Sequence, residues 1–379
     1  MYFKINVYCV FEDASVDTIL LNGIKTQIPS FPKSTIIKSI SNQFKLISER
    51  LNAISLGIWD LNETIITNEI NQTSQISFQK GILLNGNITI NDFLEGYMGM
   101  KSYEFGKGMP IQTREMMVSR IYNCDSKIDE SYFPLIGAGN VQRYFLRDSK
   151  EFIKYGKNLA APRDIKIFTG PRILVNRILS KERIDACFVD DTIINNTDVF
   201  NFISKNNSKV NILFLLAIIS SRVCSTYLRG VNINLDRATF PKLNVNNILT
   251  MPLPKSILED APEGLIKNVE IIQSLFIEIQ ETTQKFQRSL ERKFALTELP
   301  KKLQDWYLLS YADFIKELGK KKIKLSLSEE AEWEMYFTSE AKKALELKAQ
   351  IDKTDKEIDQ MVYALYELTE DEIKIVEAS

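Results

Sequence analysis

Between Ile5 and Leu21 apolar side chains fall on alternate positions: Val7, Cys9 and Phe11, then Val16, Thr18 and Leu20. A two-residue period predicts strands, because successive side chains on a strand point to opposite faces. Asn22-Gly23 carries a hairpin-turn signature. Pro29 and Pro32 flank a loop, after which a helix is expected from Ser34 to about Leu51. Residues 60–95 are rich in Asn, Thr and Ile, with a second turn signal over residues 84–88. From Gly96 to Pro254 short apolar runs alternate with turns. Arg172-Ile173-Leu174-Val175 reads as a buried strand, and one long apolar helix is expected from Lys209 or Asn211 to Arg229-Gly230, where glycine stops it. Met251-Pro252-Leu253-Pro254 closes this stretch, since two prolines oppose both helix and central strand.

In the last third the period changes. Leu265, Val269, Ile272, Phe276, Ile279, Thr283, Phe286 and Leu290 follow an unbroken 4-3-4-3 spacing, the heptad seam of a packed long helix. A second helix is expected from Leu303 to Leu318. Ser326 and Glu329 form a capping box for a third, and Thr354/Glu357 and Thr369/Glu372 suggest two further helix starts. The pattern predicts an α+β protein: a mixed α/β domain followed by an α-helical bundle or coiled hairpin. The expected divisions are 1–95, 96–255 and 256–379.

Charge sharpens those divisions. The whole chain sums to −1. Residues 1–95 hold 7 basic and 9 acidic side chains (−2), residues 96–255 hold 23 and 14 (+9), and residues 256–379 hold 18 and 26 (−8). Polyanion binding follows local rather than total charge, so the basic middle is a nucleic-acid footprint. The alternative is that the basic middle packs against the acidic tail.

The 379 residues include no histidine. That excludes Ser-His-Asp and Cys-His triads, HExxH zinc sites and histidine phosphotransfer from this chain. Cys9, Cys124, Cys187 and Cys224 are widely scattered with no CxxC pair, the pattern of reduced cytoplasmic thiols. The longest apolar run, Ile212 to Ile219, is too short to span a bilayer, and no secretory signal pattern opens the sequence. A cytoplasmic protein without membrane partners is expected.

Other chemistry is thin. There is no GxxxxGK[ST] loop, and Gly137-Ala138-Gly139 has Gln142 where a dinucleotide site needs its third glycine. The Asn-Pro-Pro-Tyr type tetrapeptide of amino-methyltransferases is absent, as is a glycine-rich S-adenosylmethionine loop. Glu291-Arg292-Lys293 and Glu346-Leu347-Lys348 lie in helical patterns, where they read as solvated faces rather than metal-nuclease triplets. Asp190-Asp191 is a lone acidic pair. No catalytic residue and no metal ligand is assigned.

Four runs in the middle resemble the TaqI-like C-terminal specificity (target recognition) region of type IIG restriction–modification enzymes and related adenine-specific DNA methyltransferases. They are Gly106-Lys107-Gly108-Met109-Pro110-Ile111-Gln112-Thr113, residues 134–144 ending in Gln142-Arg143-Tyr144, Pro171-Arg172-Ile173-Leu174-Val175-Asn176-Arg177-Ile178, and Leu216 to Ser221 followed by Met251-Pro252-Leu253-Pro254. Asp359 to Ile373 resembles the family's ending. Val10 to Thr18 resembles the last strands of its methyltransferase domain, so residues 1–95 look like the remnant of that domain plus a connector. The family's Arg-Gly-Lys-Asp element is Gly137-Ala138-Gly139-Asn140 here, so only Arg143 and Tyr144 are carried over from that run.

The resemblance implies a chain that reads double-stranded DNA at a short sequence and leaves the chemistry to a methyltransferase, and often a nuclease, subunit or domain. S-adenosylmethionine and Mg2+ are then expected on that partner or on a missing N-terminal portion, with no cofactor on this chain. In such a reading Lys107, Arg114, Arg120, Arg143, Arg172 and Arg177 are candidates for phosphate contacts, and Gln112 and Asn176 for base edges; Thr113 and Tyr144 complete the expected DNA-binding set. A single recognition-type domain without internal repeat implies an asymmetric site. The alternative is a protein–protein adaptor, or a decayed and idle fragment of such an enzyme, in a phage-defence complex.

Overall fold

The β-branched and aromatic runs form strands where they alternate with turns, and the heptad stretch forms long helices. The computed structural model describes the strand segments 2–5, 21–24, 34–37 and 64–67, together with residues 82–378 apart from 83, 85, 87, 181–182, 207, 232–241, 259–261 and 297–298. The chain divides into two units, residues 1–80 and 81–379.

In the first unit β1 (Tyr2–Ile5) pairs antiparallel with β2 (Leu21–Ile24), and β3 (Ser34–Ile37) with β4 (Thr64–Thr67). Two expectations change. Asn22-Gly23 lies inside β2, opposite Lys4 and Phe3, rather than forming a turn. Ser34-Thr35-Ile36-Ile37 is a strand, not a helix start, in keeping with the β preference of Thr and Ile. Val10 to Thr18, the run likened to a methyltransferase domain, lies outside the described residues.

The second unit opens with β5 (Ile88–Thr89) and β6 (Leu94–Met98). The short helix α1 (Arg114–Val118) follows, then β7 (Asn123–Cys124), β8 (Tyr132–Ile136), β9 (Val141–Gln142), β10 (Phe145–Leu146) and β11 (Phe152–Lys154). Next come β12 (Arg172–Asn176), β13 (Ala186–Val189), β14 (Ile194–Asn195) and β15 (Val199–Ser204). One antiparallel sheet has the order β13-β12-β15-β6. A second has the order β14-β8-β11-β7, parallel only between β14 and β8. The expected strand at Arg172 is the buried β12. The expected boundary at residue 95 falls inside this unit, because Ile82, Leu84, Ile90, Phe93 and Leu94 are buried in its core.

The single helix expected from Asn211 to Gly230 is two. Asn211 caps α2 (Ile212–Ser220), and α3 (Arg222–Val231) leaves it at 61°. The break is Ser221, whose backbone is extended and whose Oγ accepts the Cys224 N–H, acting as the cap of α3. No single helix among the described residues is long and apolar enough to cross a membrane. After α4 (Val245–Leu249), Pro252–Leu253 forms the edge strand β16, which pairs with β5. A proline is tolerated there because an edge strand leaves one side unpaired.

The tail consists of α5 (Glu263–Phe294), α6 (Tyr311–Lys320), α7 (Leu327–Leu365) and α8 (Glu370–Ala378). Asn268 on α5 bonds Met361 on α7, and Lys293 pairs with Glu329, so the two long helices run antiparallel. The seam is buried at Leu265, Val269, Ile272, Ile279, Phe286 and Leu290, with Leu275 rather than Phe276 completing it. Ser326 and Thr369 cap their helices as expected. Thr354 does not: its hydroxyl donates to Gln350 O within an unbroken α7. The expected helix from Leu303 begins only at Tyr311, preceded by two 3-10 turns.

Near the end of α5, Phe286 stacks on Trp306 at 3.6 Å and meets Phe314 and Phe337 at its edges. All four are buried. Phe286→Ala is expected to destabilise the chain by about 3–5 kcal/mol, a large-to-small core loss, read as a lowered urea midpoint.

Candidate nucleic-acid interface

The candidate residues separate into an interior set and a surface set. Arg172 is fully buried in β12. Its Nη1 donates to Gly170 O and Asp191 O at 2.9 Å, its Nη2 to Ile193 O at 3.0 Å and its Nε to Asn201 Oδ1 at 3.3 Å. Burial pulls the guanidinium down to about 10, still protonated at neutral pH. Arg172 is therefore a staple for carbonyls of the neighbouring loop, not a phosphate contact. Asn176 is also buried, donating to Val141 O, which corrects its expected role at a base edge.

Arg143 and Tyr144 occupy the two-residue tip of the β9–β10 hairpin. Tyr144 has a left-handed φ of 67°, is buried, and its phenol is raised by desolvation. Arg143 Nη2 reaches Asp355 Oδ2 on α7 at 2.7 Å, and Phe145, which follows Tyr144, stacks on Phe276 of α5. The hairpin thus faces the helical tail rather than open solvent. Tyr144 is thus interior, and Arg143, of the expected DNA-binding set, is paired within the chain while keeping 27% of its side chain in solvent.

Asp355 belongs to a buried ion network. Arg183, only 3% exposed, places Nη1 3.2 Å from Asp355 Oδ1 and Nη2 2.7 Å from Asp359 Oδ2. Arg222, the first residue of α3, donates its backbone N–H to Asp359 Oδ1, with its Nε 3.6 Å from Oδ2. The helix N-terminus adds its dipole to this carboxylate. Burial raises Asp359 above the ordinary carboxylate range, opposed mainly by Arg183. Burial also lowers Arg183, and Arg143 adds to that. Arg183, Arg222, Asp355 and Asp359 were not singled out in the sequence. A signal exists there: Ile351, Ile358 and Val362 mark the buried stripe of α7, and Asp355 and Asp359 sit on it. A carboxylate on a buried stripe has to meet a cation.

The surface set lies between residues 104 and 121. Lys107 and Arg114 are exposed, and Arg114 lies over the Phe105 ring at 5.6 Å. Thr113 caps α1 by accepting the Met116 N–H. Arg120 is exposed but paired with Glu151 at 2.8 Å. Arg177 is half-buried, its backbone fixed between Asp198 and Leu243. Gln112 is fully buried: its Oε1 accepts the Glu104 N–H and its Nε2 donates to Ser102 O and Asn158 O. With both ends of its amide occupied, Gln112 is a post for the loop, which corrects its role as a base reader. Gly108 has φ 82°, and a Cβ there would lie 2.5 Å from Asn158 O, so the loop requires glycine to sit against residues 157–158.

Among the described residues no group of three or more Cys, Asp or Glu gathers as a metal site. Cys124, Cys187 and Cys224 are free thiols, and burial raises the last two.

Most strands of the two four-stranded sheets, with α2, α3 and the edge strand β16, fall within the segment that decides the comparison with known families. Residues 134–253 match the TaqI-like C-terminal specificity domain. Residues 259–362 match a second family model, described as a domain of unknown function, DUF8810. The TaqI-like match thus begins inside β8 and ends with β16, and the second covers α5, α6 and most of α7. The surface loop 104–121 lies just ahead of the TaqI-like region. No curated protein matches the sequence.

Two solved structures give low-level likenesses. One is the type IIG restriction endonuclease BpuSI, at 11% identity and a TM-score of 0.32, covering 48% of this chain and 25% of that one. The other is the type IIL restriction–modification enzyme MmeI, solved in complex with DNA, at 12% identity and a TM-score of 0.36, covering 91% of this chain and 46% of that one. The chain spans less than half the length of either.

Arg183→Ala is expected to cost about 3–5 kcal/mol, because it leaves two buried carboxylates short of their cation. In a double-mutant cycle with Asp359→Ala, urea unfolding should give a coupling energy of about 1–3 kcal/mol. Additivity would show that the two side chains do not interact.

Proposed function

We propose that this chain is the sequence-reading part of a DNA restriction–modification or adenine methyltransferase system, acting on double-stranded DNA beside a methyltransferase, and often nuclease, subunit or domain. The match of residues 134–253 to a TaqI-like specificity domain carries the reading. The distribution of charge supports it. Part of the basic middle is held by the acidic tail through Arg143, Arg183 and Arg222, whereas Lys107, Arg114, Lys154, Lys157 and Lys166 stand exposed around the loop 104–121 and the adjoining segment. In this reading S-adenosylmethionine and Mg2+ belong to the catalytic partner, and the single recognition domain reads an asymmetric site.

The corrected residue set changes the expected salt response. With Arg143 and Arg172 turned inward, about four phosphate contacts remain, and a slope near −0.9 per contact gives roughly a 100-fold loss of affinity between 50 and 200 mM salt. Lys107→Ala and Arg114→Ala should each lower that slope by about one. Arg143→Ala should weaken folding and leave the slope unchanged. Fluorescence anisotropy with a duplex selected from a random-sequence pool measures all three. A salt-independent affinity would contradict the DNA reading.

A further inference from the structure

The loop that precedes the TaqI-like region exposes more than charge. Met109 and Ile111 are each 70% exposed, with the exposed Pro110 between them, and Phe105 and Val118 are 63% and 84% exposed. Apolar side chains so close together on a surface mark an interaction site. They are also held in place. Met109 N–H donates to Lys157 O at 2.8 Å, Gln112 N–H donates to Lys107 O at 2.7 Å, and the buried Gln112 amide ties the loop to Ser102, Glu104 and Asn158. The tip is therefore supported from beneath.

Its surroundings select the kind of partner. Between Phe105 and Ile121 the sequence has one carboxylate, Glu115, against Lys107, Arg114 and Arg120, of which Arg120 is paired with Glu151 at 2.8 Å. Lys157 is joined to the tip through its own carbonyl. Glu104, just outside, is neutralised by Lys101 at 3.1 Å. An apolar tip inside a cationic rim is complementary to a surface with anionic rails on either side of an apolar stack. A nucleic-acid duplex has that construction: phosphates outside, stacked bases between, with base steps that apolar side chains can unstack.

Resting on the DNA reading above, we propose that Met109 and Ile111 form a wedge that enters a base step of the bound duplex, while Lys107, Arg114 and Lys157 hold the flanking phosphates. The wedge distorts the duplex at one step and gives the protein an apolar contribution to binding that salt does not screen.

The test uses the full chain and a duplex selected by it from a random-sequence pool. 2-Aminopurine is placed at each position in turn, and its fluorescence reports unstacking. The parent protein should raise the signal at one step. The double variant Met109→Ala/Ile111→Ala should lose that rise and bind roughly tenfold more weakly, with the salt slope and the urea midpoint unchanged. A bound duplex with no unstacked position, or a variant that keeps the unstacking, overturns the wedge and leaves the DNA reading in place. A variant that binds and unstacks the duplex like the parent but no longer associates with a methyltransferase chain shows that the tip docks protein instead. Failure to select any duplex at 50 mM salt overturns the DNA reading and the wedge with it.

Discussion

Three guanidinium groups and two carboxylates meet where the sheets join the helical hairpin, and the relation between these two parts depends on that meeting. Removing a charge from water costs several kcal/mol, repaid only when the partner is close and the remaining donors and acceptors are occupied. Arg183 satisfies this by bridging Asp355 and Asp359. The excess positive charge is tolerable because Arg143 and Arg222 keep 27% and 28% of their side chains in solvent. Apolar packing of α2 on α5 would tolerate sliding; a bridged pair of carboxylates one turn apart on α7 does not. The cluster therefore acts on geometry as much as on stability. It fixes the β9–β10 hairpin and the start of α3 against one stretch of one helix.

That constraint also redistributes the charge. A segment count of +9 suggests a large cationic face, but the most conspicuous arginines are used internally. Arg172 holds loop carbonyls, and Arg143, Arg183 and Arg222 neutralise the tail. The exposed cations of the loop 104–121 and residues 154–166 are Lys107, Arg114, Arg120, Lys154, Lys157, Arg163 and Lys166. Packing of the basic middle against the acidic tail accounts for Arg143, Arg183 and Arg222 and leaves the exposed cations outside it.

Much of the architecture was legible. The helical seam, the capping boxes at Ser326 and Thr369 and the buried strand at Arg172 rest on local periodicity and capping, which short windows carry faithfully. The misreadings share another cause. Thr354 has the spacing of a cap but lies on a helix stripe already committed to packing. Ser221 breaks a continuous apolar run because its hydroxyl caps the next helix. Gln112, Asn176 and Arg143 are polar residues in motif-like runs, and polarity alone does not reveal whether a partner is a base, a phosphate or another part of the chain. Only the fold brings Asp355 to Arg143, 212 positions away.

β5 and β16 pair Ile88 with Leu253 and Thr89 with Pro252, and Ile90 N–H donates to Met251 O. The chain enters the segment between β5 and β16 and leaves it side by side, as through a single doorway. A segment closed in this way can be exchanged for another of different length and content without moving the two ends to which it must be joined. The incoming segment must then supply cations where Arg143, Arg183 and Arg222 stand, the apolar face that α2 packs against the hairpin, and an edge strand to close the door. A fold built on this plan can accept replacement of the whole segment between these two strands, while the helical hairpin that receives it stays the same.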